Sequence, residues 1–165
     1  MMHYTHLETP VGTLLLAGKD DKLKVIRFAD GNQASAAEVG WERADGVFSK
    51  VTRQLLEYFA GTRKCFDLVL APEATPFQAS VLDALVKIPY GDTRSYTDIA
   101  KAIGQPKAVR AVGGANGNNP IAIIIPCHRV VGADGSLTGF AGGLERKRYL
   151  LDLETSHSGV FGSAT

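Results

Sequence analysis

"IAIIIPCHRVV", residues 121–131, runs five apolar residues into a proline and then sets a cysteine, a histidine and an arginine in succession. How this stretch is built decides what the second half of the chain is. Ile121 to Ile125 reads as a buried strand, and Pro126, with no N–H to give to a ladder, should end its pairing. Cys127 would then stand where the chain leaves the core. A free cysteine is most often a small buried hydrophobe, and from the cysteine alone that reading stays open. His128 directly after it opens a second reading. An imidazole held by a carboxylate can take a thiol proton and leave a nucleophilic thiolate. Neighbours on a strand point to opposite faces, so contact between Cys127 and His128 requires a turn or a bridging water.

Upstream lies "SYTDIAKAIGQPKAVRAVGGANGNN", residues 95–119. Ser95 followed three residues later by Asp98 reads as a capping box, Ile99, Ala100 and Ile103 follow at helical spacing, and Gly104 is a stop. Pro106 reads as the first residue of a second helix. Two short helices around a glycine turn fit a helix-turn-helix and equally an ordinary αα-hairpin. The second helix is built of small residues with one arginine, Arg110. Base-specific readout uses Arg, Asn, Gln or Lys at base edges, so this helix encodes no base sequence. Either it docks closely and without sequence preference, in the minor groove, with Arg110 as a long probe, or its Ala and Gly residues permit tight packing inside the protein. Before it, Thr75 reads as the N-cap of a helix with Pro76 at its first position and Phe77, Val81, Leu82, Leu85 and Val86 on one stripe. Downstream, "GGLERKRYLLDLE", residues 142–154, reads as an amphipathic helix with Leu144, Tyr149, Leu150 and Leu153 inward, and the residues beyond Glu154 read as frayed.

The first seventy residues read as a β meander of "HYTHLET", "GTLLLAG" and "LKVIRFA", then a helix closed by Gly61, then one more strand in "CFDLVL". "APEATPF", residues 71–77, reads as a linker. The expected organisation is α+β: a small N-terminal α/β domain with a short antiparallel sheet over residues 1–74, and a mainly helical domain with a helix-turn-helix over 75–165. Hydrophobic residues make up 45% of the chain, enough for a packed core. The run Ile121 to Ile125 is too short to span a bilayer, so no membrane partner is expected. The first residues show no basic stretch leading into an apolar one. The two cysteines, Cys65 and Cys127, offer neither metal-ligand spacing nor a disulfide framework, so a reducing, cytoplasmic setting is expected. Net charge is +1: residues 1–74 carry 9 Lys and Arg against 10 Asp and Glu, for −1, and residues 75–165 carry 9 against 7, for +2. That excludes a strongly basic nucleic-acid binder.

Pro126-Cys127-His128-Arg129-Val130 resembles the active-site signature of the O6-alkylguanine-DNA alkyltransferases, and the likeness runs through residues 76–154, including "AVRAVGGANGNNP". The resemblance implies single-turnover DNA repair. An alkyl group would pass from O6 of guanine, and from O4 of thymine, to Cys127 of a protein that flips the base out of the duplex. It implies that His128 is the base acting through a water, that Glu154 orients it, and that this relay lowers the thiol pKa from its free value of about 8.5. Asn119 would tie the helix-turn-helix to the active-site turn, and Tyr96 would bind the flipped base and steady the departing guanine. Arg110 would fill the gap in the duplex, with Ser95, Ala108, Ala111, Gly113 and Gly114 also at the DNA and Asn116, Val130, Phe140 and Ala141 lining the pocket. Some relatives carry tyrosine and serine at the last two positions, so two hydroxyls are lost here. Others hold a zinc in the N-terminal domain. This chain lacks the residues for it, and no metal or cofactor is expected.

The expected partner is double-stranded DNA containing O6-alkylguanine. No obligate protein partner is expected, and the chain would act as a monomer, with side-by-side assembly on DNA left open. Three rivals stand beside this reading. A non-catalytic lesion-binding relative would have replaced Cys127. A thiol hydrolase leaves the helix-turn-helix and Arg110 without a use. A sequence-specific transcription factor would need a lettered recognition helix.

Overall fold

The computed structural model describes residues 1–29, 37–140 and 142–158. The chain divides into two compact units, Met1–Glu73 and Ala74–Thr165. In the first, β1 (His3–Thr9), β2 (Gly12–Lys19) and β3 (Lys22–Phe28) form an antiparallel meander. Asp20 and Asp21 turn the chain between β2 and β3 with φ of 54° and 62°. Left-handed conformation at both central residues matches the twist of the flanking strands, and aspartate tolerates it. The central strand β2 buries Leu14, Leu15, Leu16 and Ala17 in succession, so both of its faces are covered. A short strand β4 (Glu42–Arg43) joins β1 in parallel, giving the order β3-β2-β1-β4, so the sheet is antiparallel except at this edge. Helix α1 (Ser49–Phe59) buries Val51, Leu55, Tyr58 and Phe59, and Gly61 behind it takes a φ of 80°.

The strand expected at "CFDLVL" does not form. This segment makes a single bridge, Leu70 to Leu23. The buried Gln54 side chain takes the N–H and C=O of Asp67, at 2.9 and 3.1 Å, that a ladder would have used.

In the second unit, α2 (Pro76–Val86) starts as its sequence dictates: the Thr75 hydroxyl accepts from the Gln78 N–H at 3.1 Å and Pro76 takes the first turn. Val81, Leu82 and Leu85 enter the core, whereas Val86 is exposed. Strand β5 (Arg94–Ser95) runs into α3 (Tyr96–Ala102), and the Ser95–Asp98 capping box is formed in both directions, at 3.0 and 2.9 Å. Pro106 does not start the next helix. It lies in a turn closed by Ala108 N–H on the Gln105 carbonyl, and α4 runs Val109–Gly117. Helices α2, α3 and α4 pack on one another. Strand β6 (Val130–Val131) pairs in parallel with β5, opposing Arg94 to Val130 and Ser95 to Val131. This pairing brings the start of α3 beside the end of the Cys127 segment.

Helix α5 (Leu144–His157) continues past Glu154. Its inward face is Lys147, Leu150 and Glu154, while Leu144 and Tyr149 are exposed. The helical period is as expected but the stripe is rotated, with two charged residues inside. Among the described residues no helix is long and apolar enough to cross a membrane.

Candidate active site

The run from Ile121 to Ile125 is a turn, not a strand. Ile124 N–H reaches the Ala122 carbonyl at 2.8 Å and Ile125 N–H reaches that of Ile121 at 3.1 Å. Ile123 between them has a φ of 73°. A β-branched residue in that region costs about 1–3 kcal/mol and persists only where its surroundings hold it. Here Asn119 holds it: its amide Nδ2 donates to the Ile125 carbonyl at 2.7 Å and its Oδ1 accepts from Ile121 N–H at 3.0 Å. One side chain thus satisfies both ends of the turn, so no partner strand is needed, and the five apolar side chains stay buried. Cys127–Arg129 then form one turn of 3-10 helix. Strand alternation no longer governs where the three side chains point.

His128 is fully buried, and its Nε2 lies 2.7 Å from Glu154 Oε2. An ionised carboxylate can only accept, so Nε2 carries the proton and Nδ1 is left as the basic nitrogen. Nδ1 is buried with no donor among the described residues. Burial holds the imidazole below its usual range despite the carboxylate beside it, so it rests neutral. Glu154 is buried at the far end of α5. Arg129 grips it twice, Nε to Oε1 at 2.7 Å and Nη2 to Oε2 at 3.0 Å. Arg129 Nη1 also donates to the Ile88 carbonyl at 2.7 Å, and its guanidinium lies over the Tyr90 ring. Burial alone would raise the Glu154 carboxyl, but the bonds and charges of His128 and Arg129 outweigh it and bring its pKa to about 2.

Cys127 is buried as well, and burial pushes its thiol up. The Asn119 amide and the Lys147 charge pull it back only in part. The expectation that the His128–Glu154 relay lowers the resting thiol is therefore not met. The resting state is a neutral thiol beside a neutral imidazole. Lys147 itself is fully buried and donates to the Val130 carbonyl at 2.6 Å and the Thr138 carbonyl at 2.7 Å. The Thr138 carbonyl also receives the Tyr96 hydroxyl at 3.1 Å. Val130 is buried and Phe140 half-buried, and Ala141 lies outside the described residues. Asn116, buried on α4, donates to the Cys127 carbonyl at 3.3 Å, and its Oδ1 has no partner among the described residues. Ser95 is committed to capping α3. Among the described residues no three His, Cys, Asp or Glu side chains cluster as a metal site.

The outer face of α4 carries Arg110, Ala111 and Gly114, all exposed, with Ala108 and Gly113 half-buried beside them. A Cβ added at Gly114 or Gly117 would meet nothing within 4 Å, and one at Gly113 only the edge of Tyr96. Internal packing therefore does not demand glycine here. Each glycine inside a helix costs roughly 1 kcal/mol against alanine, and what the smooth face allows is close approach from outside.

Residues 76–156 match the family described as 6-O-methylguanine DNA methyltransferase, DNA binding domain, and residues 2–72 match its ribonuclease-like domain. The chain belongs to this family. A methylated-DNA–protein-cysteine methyltransferase of Methanosarcina acetivorans is 54% identical over 155 residues, covering 94% of this chain and 99% of that one. The solved O6-methylguanine methyltransferase of Mycobacterium tuberculosis superposes with a TM-score of 0.89 at 48% identity, covering 97% and 96% of the two chains. The same organism's OGT in complex with DNA superposes with a TM-score of 0.88 at 50% identity, covering 94% of each. Within this methyltransferase fold, the structure brings Cys127, His128, Glu154 and Asn116 into one buried cluster bordered by the half-buried Asn119, and hangs Tyr96 on the adjoining loop. It adds two residues that the sequence reading had left aside, Arg129 and Lys147. Lys147, Leu150 and Glu154 share one helical spacing, and that was the available signal.

Proposed function

We propose that the protein is a methylated-DNA–protein-cysteine methyltransferase that repairs DNA by direct transfer of an alkyl group from O6 of guanine to Cys127, once per molecule. The observation that carries this reading is the buried His128, with Nε2 given to Glu154 and Nδ1 left open, directly after a buried cysteine. The thiol proton passes from Sγ to Nδ1, through a water in the family's scheme. The imidazolium so formed is steadied by a Glu154 that stays ionised. The sulfur then takes the alkyl carbon as the bond from that carbon to O6 breaks, and guanine departs with the electron pair. Tyr96, whose hydroxyl now rests on the Thr138 carbonyl, donates to the departing guanine. All atoms are accounted for without a cofactor, and nothing in the cluster removes a thioether.

The base must leave the duplex to reach this pocket, at a cost of a few kcal/mol. Arg110, exposed on the smooth face of α4, fills the gap, and the glycine face supports docking in the minor groove without base readout. O4 of thymine presents the same alkylated oxygen beside a ring nitrogen and fits the same chemistry. Double-stranded DNA is the partner, the chain acts alone, and its setting is cytoplasmic. The test is to incubate the protein with duplex DNA carrying labelled O6-methylguanine and count label. It should stop at one methyl per chain, on Cys127. Sustained turnover, or label on Cys65, would sink the reading.

A further inference from the structure

Tyr96 has a part in the reaction, yet in the resting protein its hydrogen is given elsewhere. Its hydroxyl donates to the Thr138 carbonyl at 3.1 Å, 42 positions along the chain. A carbonyl can only accept, so this bond takes up the phenol hydrogen, and the second contact between the two residues then has a set direction. The Thr138 hydroxyl lies 3.3 Å from the Tyr96 oxygen and donates to it. One threonine thus meets the phenol twice, its carbonyl at the hydrogen and its hydroxyl at the oxygen. The loop that brings Thr138 there folds back on itself, with the Gly132 N–H on the Ser136 carbonyl at 2.8 Å. A Cβ on the next residue, Gly139, would stand 3.4 Å from the same phenol oxygen, and glycine leaves that approach uncrowded. The Thr138 carbonyl also takes the Lys147 ammonium at 2.7 Å. It therefore keeps a donor when the phenol hydrogen turns away, and no stranded acceptor opposes the turn.

We propose that Thr138 is a positioning residue for Tyr96: its carbonyl parks the phenol hydrogen in the resting protein, and its hydroxyl backs the phenol oxygen while that hydrogen is given to the departing guanine. The proposal rests on the part assigned to Tyr96 in the reading above. Both hydroxyls keep their protons, and the electron pair of the broken carbon–oxygen bond stays on guanine. As the phenol donates, its oxygen becomes the stronger acceptor, and a donor behind it strengthens the chain in return. In the free protein Tyr96 is half-buried and Thr138 exposed, so water competes for both groups. A base seated on Tyr96 keeps that water out, and the backing bond then counts for more than it does at rest. Thr138 touches neither the sulfur nor the alkyl carbon in this scheme and acts only through the tyrosine.

The test is a double-mutant cycle with a conservative rescue. Single-turnover methyl transfer at saturating duplex O6-methylguanine DNA is timed for the parent, Thr138→Val, Thr138→Ser, Tyr96→Phe and the Tyr96→Phe, Thr138→Val pair, with duplex affinity measured alongside. Valine keeps the shape of threonine and removes the hydroxyl, so Thr138→Val should slow transfer by about three- to tenfold, as for one lost hydrogen bond, at unchanged duplex affinity. Thr138→Ser should recover most of that loss. In the Tyr96→Phe background the valine change should cost nothing further, because the group it served is gone. A threonine that merely shapes the loop predicts the same slowing in both backgrounds. The resting bond is read without DNA from the ring carbon that bears the Tyr96 hydroxyl. Its NMR signal, assigned by its loss in Tyr96→Phe, should move in Thr138→Val and return in Thr138→Ser. Equal slowing in the two backgrounds overturns the proposal, as does a parental rate in Thr138→Val or a tyrosine signal that does not move. A parent that transfers no methyl group overturns the functional reading instead.

Discussion

Replacing Glu154 with glutamine keeps the shape of the side chain and removes its charge. The carboxyl pKa is brought from 4.5 to about 2 in the folded protein, a shift of about 2.5 units, or about 3 kcal/mol at 1.36 kcal/mol per unit. This agrees with the 3–5 kcal/mol typical of removing one partner from a buried ion pair. Arg129 would be left buried without its counter-charge, with the Ile88 carbonyl and the Tyr90 ring as its other contacts. Because the folded pKa is depressed, this stability is fully present above the unfolded value of 4.5 and is lost as pH falls through about 2. Glu154→Gln should therefore be about 3 kcal/mol less stable at pH 7 and should lack the part of the parent's acid loss that falls between those two values. The amide can also donate to His128 Nε2 and force the wrong tautomer. Transfer should slow by on the order of 10²–10⁴-fold, as for carboxylate-to-amide changes behind other catalytic histidines. DNA binding should hardly change, since Glu154 is buried and the exposed face of α4 does not include it. Denaturant unfolding at several pH values, single-turnover methyl transfer and fluorescence anisotropy on duplex DNA test the three parts. A parental transfer rate in Glu154→Gln, or loss of DNA binding in step with loss of transfer, would refute the assignment.

Arg110→Ala should slow repair of duplex DNA by more than it weakens binding, yet matter little for inactivation by free O6-benzylguanine, which needs no flipping. Equal losses on the two substrates would return Arg110 to a structural role. Gly114→Ala fills open space on an exposed helix face, so it should stabilise the fold by about 0.5–1 kcal/mol while weakening duplex binding. A thermal melt and a binding titration on the same sample check both signs, and tighter or unchanged binding would argue against docking through this face.

What could be read from the sequence was what its local chemistry determines. Thr75 with Pro76 and Ser95 with Asp98 each carry their partner within three residues, and each does locally what its chemistry requires. Five apolar residues in a row, by contrast, have no period, so Ile121–Ile125 could not be told from a buried turn. The group that decides it, the Asn119 amide, lies outside the run. On α5, counting only apolar residues set the stripe on Leu144 and Tyr149. The helix turns its charges inward instead, because Arg129 and the Val130 and Thr138 carbonyls are there to meet them. Those contacts span 9 to 25 positions in the chain and leave no trace in local spacing. The resting state of the thiol was likewise invisible, since it follows from the depth at which Cys127 is buried.

That depth has a consequence for how long the protein keeps. A reagent consumed on first use has to survive idle. Peroxides and mixed disulfides attack the thiolate, and attack follows exposure and thiolate content. Cys127 is buried, with its thiol pushed toward the protonated form, whereas Cys65 stands exposed on the surface. An oxidant reaching a stock of idle molecules should therefore mark Cys65 first and leave the acceptor unconsumed. The burial that disfavours the thiolate, a handicap for reactivity, should be what lengthens the idle life of a single-use molecule.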